Sequence, residues 1–138
     1  MKHIKFILLV LMYIISLSSV AQIDKGQIPQ TEKIKGNFVH TVLFWLNNPD
    51  NLKDRKTFED GVSTLLKQCK FIASSHIGIP ADTATRPVVD DSYTYCVVIT
   101  FTSKEEHDAY QIDPLHTSFV ENNKNLWNKV LVYDSVSF

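Results

Sequence analysis

The sequence predicts an α+β domain, a four-stranded antiparallel sheet with helices on one face. Two patterns lead there. Apolar residues alternate along some segments and recur at helical spacing along others, in the order strand, helix, strand, strand, helix, strand. An Asp113-Pro114 pair then divides the second helical stretch, because a residue before proline avoids the helical region. Composition agrees: 138 residues, 44% hydrophobic and 21% charged with 4 Gly and 5 Pro, suit one packed core. They exclude disordered, collagen-like and repeat architectures, and two cysteines exclude a disulfide scaffold.

Met1 to Ala21 starts with Lys2, His3 and Lys5, runs apolar from Phe6 to Ile15 and ends in Ser19-Val20-Ala21. This reads as a signal peptide cut after Ala21, its apolar run being shorter than the ~20 residues of a bilayer-spanning helix. The expected localisation is secreted or periplasmic, with no membrane attachment after cleavage. Residues 22–36 mix Lys, Gln, Gly and Pro without apolar period and read as a flexible leader; the domain occupies residues 37–138.

Strand one, Phe38 to Leu46, is apolar in both phases, with His40, Val42 and Phe44 in one and Val39, Leu43 and Trp45 in the other. After a turn at 47–51, Phe58, Val62, Leu65, Leu66 and Cys69 mark helix one. Phe71 to Ile79 reads as strand two, residues 81–92 as a polar loop and Tyr93 to Phe101 as strand three. Ser103 and Glu106 have capping-box spacing at the start of helix two, which runs to about Ile112. Asp113 then serves as N-cap, with Pro114 first in helix three, which carries Leu115, Phe119, Leu126 and Trp127. The last strand is Val130 to Val136.

This order is the ferredoxin-like arrangement. It leaves Val39, Leu43, Trp45, Val98 and Leu131 on the sheet face away from the helices, a larger apolar patch than a monomer tolerates. A second copy is the economical cover, two sheets packed face to face as a dimeric α/β barrel. Cys69 and Cys96 fall on opposite sides of the sheet, so no bridge between them is expected. A formal net charge of -1 provides no field for nucleic acid.

Three segments resemble the Dabb family, the stress-responsive A/B barrel domain: Val39-His40-Thr41-Val42-Leu43-Phe44; Tyr110-Gln111-Ile112-Asp113-Pro114-Leu115-His116 with Phe119-Val120-Glu121; and Leu126-Trp127 leading to Val132-Tyr133-Asp134. The resemblance implies a dimeric ferredoxin-like barrel with a small hydrophobic pocket between sheet and helices. A plant branch of the family closes polyketide chains by aldol chemistry, with a tyrosine and a histidine that correspond by position to Tyr110 and His116. The family usually has a second histidine where this chain has Asp113.

A histidine at a helix start is held neutral and basic, and a tyrosine across the proline break is a donor for an enolate oxygen. Tyr110 and His116 are therefore either a proton-transfer pair or core residues that satisfy backbone groups at a tight junction. His40, Val42, Phe44, Phe119 and Trp127 are the candidate ligand-binding residues, with a core role as the alternative for each. Asp113 is explained by capping, and His76 and His107 are expected in solvent. Asp113, His116 and His40 fall short of a metal site, so no metal and no cofactor is expected. The resulting expectation is an exported homodimer that binds a small, mostly apolar molecule. The alternative is a cofactor-free, polyketide-cyclase-like or lyase enzyme that removes a proton next to a carbonyl.

Overall fold

A computed structural model of the protein describes residues 34–138. The expected signal peptide and most of the expected leader lie outside the described residues. The described chain runs β1 (Phe38–Leu46), α1 (Leu52–Gln68), β2 (Ser74–Gly78), β3 (Tyr95–Phe101), α2 (Lys104–Gln111), α3 (Pro114–Asn123) and β4 (Trp127–Val136). No helix among the described residues is long and apolar enough to cross a membrane.

The sheet order is β2-β3-β1-β4, all antiparallel, which is the ferredoxin-like topology. In register, Val42 sits opposite Val97 on one side and Val132 on the other, and His40 opposite Ile99 and Asp134. Alternation along β1 is strict: Phe38, His40, Val42, Phe44 and Leu46 are buried, while Val39, Thr41, Leu43 and Trp45 are half-buried. Among the described residues only one face of this strand is closed. Leu43, Trp45, Val98 and Leu131 remain half-exposed on the other.

Helix α1 begins where Asn51 Oδ1 accepts from the amides of Lys53 and Asp54, at 2.9 and 3.2 Å. Its Phe58, Val62 and Leu65 are buried against Phe44, Tyr95, Val97 and Ile99 of the sheet. Gly61 faces α3, and a Cβ there would stand 2.8 Å from Asn123 Nδ2. Asn123 is itself buried and donates to the Phe119 carbonyl at 2.8 Å, so this glycine sets how closely α1 and α3 approach. At the other end of the fold, Gly36 has φ +95° against the Phe101 carbonyl, a conformation glycine adopts without penalty.

Four local expectations change. Strand β2 starts at Ser74, not Phe71, and β3 at Tyr95, not Tyr93. The cap of α2 is half the expected box: Ser103 accepts from the Glu106 amide at 3.3 Å, but the Glu106 carboxylate turns to Thr102, taking its amide at 3.0 Å and its hydroxyl at 2.6 Å. Leu126 and Trp127 leave the third helix, because α3 ends at Asn123 and the Leu126 amide folds back onto the Asn123 carbonyl. Trp127 therefore opens β4 opposite Leu46, with a register shift between Trp45 and Leu46. Cys69 is buried, Cys96 half-buried, and both are free thiols.

Candidate functional site

Between the inner sheet face and helices α2 and α3 lies a cavity of about 330 Å³. Its apolar wall includes Val42 and Phe44 from β1, Phe119 from α3 and Trp127 from β4. Period-two alternation is what turns His40, Val42 and Phe44 to the same side. His40, Tyr110 and His116 also line it, so every candidate catalytic and ligand-binding residue read from the sequence faces this one space. Helix cover stops short of β4. Val130 and Val132, opposite Phe44 and Val42, keep 38% and 44% of their surface and form the mouth.

The polar groups gather around the break between α2 and α3. Asp113 Oδ1 accepts from the Leu115 amide at 2.8 Å, starting α3 and spending the carboxylate on capping. That turn brings His116 back over the end of α2, where its Nδ1 donates to the Gln111 carbonyl at 3.1 Å. A carbonyl left without a helical partner is thereby satisfied. With the proton on Nδ1, the neutral ring carries its lone pair on Nε2. Burial pushes His116 below its ordinary pKa, outweighing the hydrogen bond to Gln111, which acts the other way. Tyr110 is buried, its ring centroid 4.4 Å from that of His116. Burial raises its hydroxyl above the ordinary range, so it stays a protonated donor.

Beside Tyr110, whose ring centroid lies 6.1 Å from its own, His40 Nδ1 donates to Asp134 Oδ1 at 2.6 Å. Burial lowers the His40 pKa, with the carboxylate opposing it. Asp134 was not singled out from the sequence as a site residue; its place opposite His40 follows from β4 pairing with β1.

The expectation for His107 is overturned. It is buried, with 9% of its surface exposed, and its ring stacks on Phe38 at 4.4 Å and stands 5.2 Å from His40. Gln111 Nε2 donates to His107 Nε2 at 3.0 Å. Glu105 and Glu106 suggested a solvated face, but His107 precedes Tyr110 by three residues and shares its side of the helix. That spacing was the available signal. His76, by contrast, is exposed, as expected. Among the described residues, the group with ligand atoms close enough for a metal ion is His40, His107 and Asp134, not the set of Asp113, His116 and His40 weighed from the sequence.

Comparison with known proteins agrees with this architecture. A Mesorhizobium loti Dabb family protein with a ferredoxin-like fold superposes with a TM-score of 0.62 at 21% identity, over 75% of this chain and 99% of that one. A dimeric ferredoxin-like protein of Thermobifida fusca gives 0.59 at 16% identity, covering 76% and 95%. The hydroxynitrile lyase of Passiflora edulis gives 0.61 at 16% identity, covering 75% and 94%. At these identities the likeness is one of fold. No curated protein sequence matches the chain. Residues 38–137, from the first residue of β1 to one past the end of β4, match the Stress Responsive A/B Barrel Domain, and the chain belongs to this Dabb family.

Proposed function

We propose that this Dabb protein is exported, pairs with a second copy through its outer sheet face, and binds a small, mostly apolar molecule in the cavity between sheet and helices. The cavity carries the reading. Its volume of about 330 Å³ lies at the small end of the range for ligand sites, and it joins an apolar wall to a few polar groups at one end. An apolar body would lie against Phe44, Phe119 and Trp127 while a carbonyl or hydroxyl meets Tyr110 and His116. Support for the pairing comes from the half-exposed Leu43, Trp45 and Val98 and from the dimeric relative of T. fusca. Support for export is the charged start, apolar run and Ser-Val-Ala end of residues 1–21.

The test is a thermal-shift screen with small aromatic ketones and phenols, repeated on Val132→Trp, which fills the mouth from an exposed position. Saturable stabilisation of the wild type that disappears in the variant is expected. Equal stabilisation of both would place binding elsewhere.

A second reading is favoured by one specific observation, the His116 Nδ1 bond to the Gln111 carbonyl, which leaves Nε2 as the basic atom of a neutral ring beside a protonated Tyr110. In that reading His116 takes a proton from carbon next to a carbonyl, and the Tyr110 hydroxyl steadies the enolate oxygen. No cofactor is required for such a step. The fold also carries a hydroxynitrile lyase in P. edulis. With a turned-over compound in hand, Tyr110→Phe and His116→Ala should each remove most of kcat, and the double variant little more. Full activity in either single variant would leave the binding reading alone.

A further inference from the structure

We infer that His40, His107 and Asp134 form a site for one divalent transition-metal ion, Zn²⁺ by ligand type, at the polar end of the cavity. A ring nitrogen from each histidine and a carboxylate oxygen from Asp134 lie within 4.8 Å of one another. Three separate elements supply them: β1, α2 and β4. The sheet register fixes two, since His40 and Asp134 are direct cross-strand partners, already bonded at 2.6 Å. The third is fixed by packing, because the His107 ring is stacked flat on Phe38 and faces His40 at 5.2 Å.

The donor set is chemically selective. Two imidazoles and one carboxylate suit Zn²⁺ and other borderline ions, whereas Ca²⁺ and Mg²⁺ take oxygen ligands almost exclusively. The carboxylate also offsets half of the ion's charge in a setting where both imidazoles are buried. Bonds of ~2.0–2.2 Å in tetrahedral geometry hold donors roughly 3.4 Å apart, so the ion takes the place of the proton between His40 and Asp134, that pair opens from 2.6 Å while wider separations close, and the Asp134 side chain, 41% exposed, is the one free to move. Gln111 provides a further donor at hand. Its amide nitrogen now lies 3.0 Å from His107 Nε2, and turning the amide puts its oxygen there instead.

His40, Gln111 and Asp134 all line the cavity, so positions the protein does not fill open toward it. Three protein ligands with an open place are the arrangement of a site that meets small molecules, not of a closed structural one. The metal site does not depend on the reading of Tyr110 and His116, because it is measured without an organic ligand.

The experiment titrates the chelator-treated full chain with ZnCl₂ by calorimetry and with CoCl₂ by visible absorption. The expected result is one equivalent bound and cobalt d–d bands of low-coordinate N/O ligation. His107→Phe keeps the stack on Phe38 and removes a ligand, and should weaken Zn²⁺ by more than ~10-fold, the minimum seen when even outer-shell partners are lost. Asp134→Asn, at a partly exposed position that cannot decide folding, should do the same. His76→Gln, on the opposite sheet face, should leave binding unchanged and so guards against adventitious surface histidine. Absence of saturable binding in the wild type, or affinity retained by both His107→Phe and Asp134→Asn, overturns the site.

Discussion

Phe58→Ala is among the most severe single truncations the core offers, and its cost follows from the surroundings of one ring. Phe58 has no exposed surface. Its ring is stacked on Tyr95 at 4.7 Å and meets Phe44, Phe119 and Trp127 at 4.9, 5.9 and 6.1 Å. Truncation removes the transfer free energy of the ring and leaves a void, together about 3–5 kcal/mol for phenylalanine. The neighbours are rigid plates anchored on β1, β3, α3 and β4, which cannot all swing into one space, so the loss belongs near the top of that range. Against a total of about 5–15 kcal/mol for a domain, the variant is marginal, and a fall in Tm of at least ~15 °C is expected. The assay is urea unfolding followed by circular dichroism at fixed protomer concentration, since the stability of the proposed dimer would depend on it. Phe138→Ala removes the same side chain from a fully exposed position and should stay within about 0.5 kcal/mol. A loss below about 2 kcal/mol for Phe58→Ala would show that the aromatic cluster repacks and that its rings are not rigidly held.

Three further outcomes are expected. His116 is lowered by burial, so its contribution is complete above the unfolded value near 6.5 and is lost as the pH falls through the window below it; the melting temperature of the wild type should drop on acidification more steeply than that of His116→Gln, and the opposite slope would mean a ring stabilised as the cation. Trp45→Glu places a charge on the outer sheet face, and light scattering should report a dimer for the wild type, as proposed, and a monomer for the variant; an undisturbed dimer would move the contact elsewhere. Gly36→Ala forces a Cβ to 2.5 Å from the Phe101 carbonyl oxygen at φ +95°, and a loss of more than ~1 kcal/mol in chemical denaturation is expected, with a neutral result showing that this end of the chain shifts freely.

Local sequence pattern encodes some elements of this fold and not others, for physical reasons. Strand β1 and helix α1 were legible because burial imposes a period on long stretches. The α2–α3 break was legible because Asp113-Pro114 has one backbone solution, and it located Tyr110 and His116 together. The end of α3 was not. Asn122, Asn123 and Asn125 contain no proline or glycine stop, and Asn123 ends the helix through contacts that only packing creates, its side chain bonding back to Phe119 beneath Gly61. His107 was misread from its neighbours' charges instead of from its own helical phase. Asp134 needed the pairing of β4 with β1, a long-range fact that local pattern does not contain.

The corner between α2 and α3 has a consequence for how such a pocket diversifies. Tyr110 stands on one helix and His116 on the next, and the turn between them is fixed locally by a proline, the Asp113 cap and the His116 bond to the Gln111 carbonyl. Their mutual placement is thus insulated from substitutions on the walls. Val120 on α3, or Val130 and Val132 on β4, all outside the buried core, can be exchanged for larger or smaller groups while the tyrosine and histidine keep their relation. An insertion or deletion at the corner does the reverse, turning α3 by roughly 100° per residue and carrying His116 out of the cavity altogether. Selection on ligand shape and selection on the polar pair therefore act on separate stretches of this chain, the first through point substitutions along elements and the second through the length of a single turn.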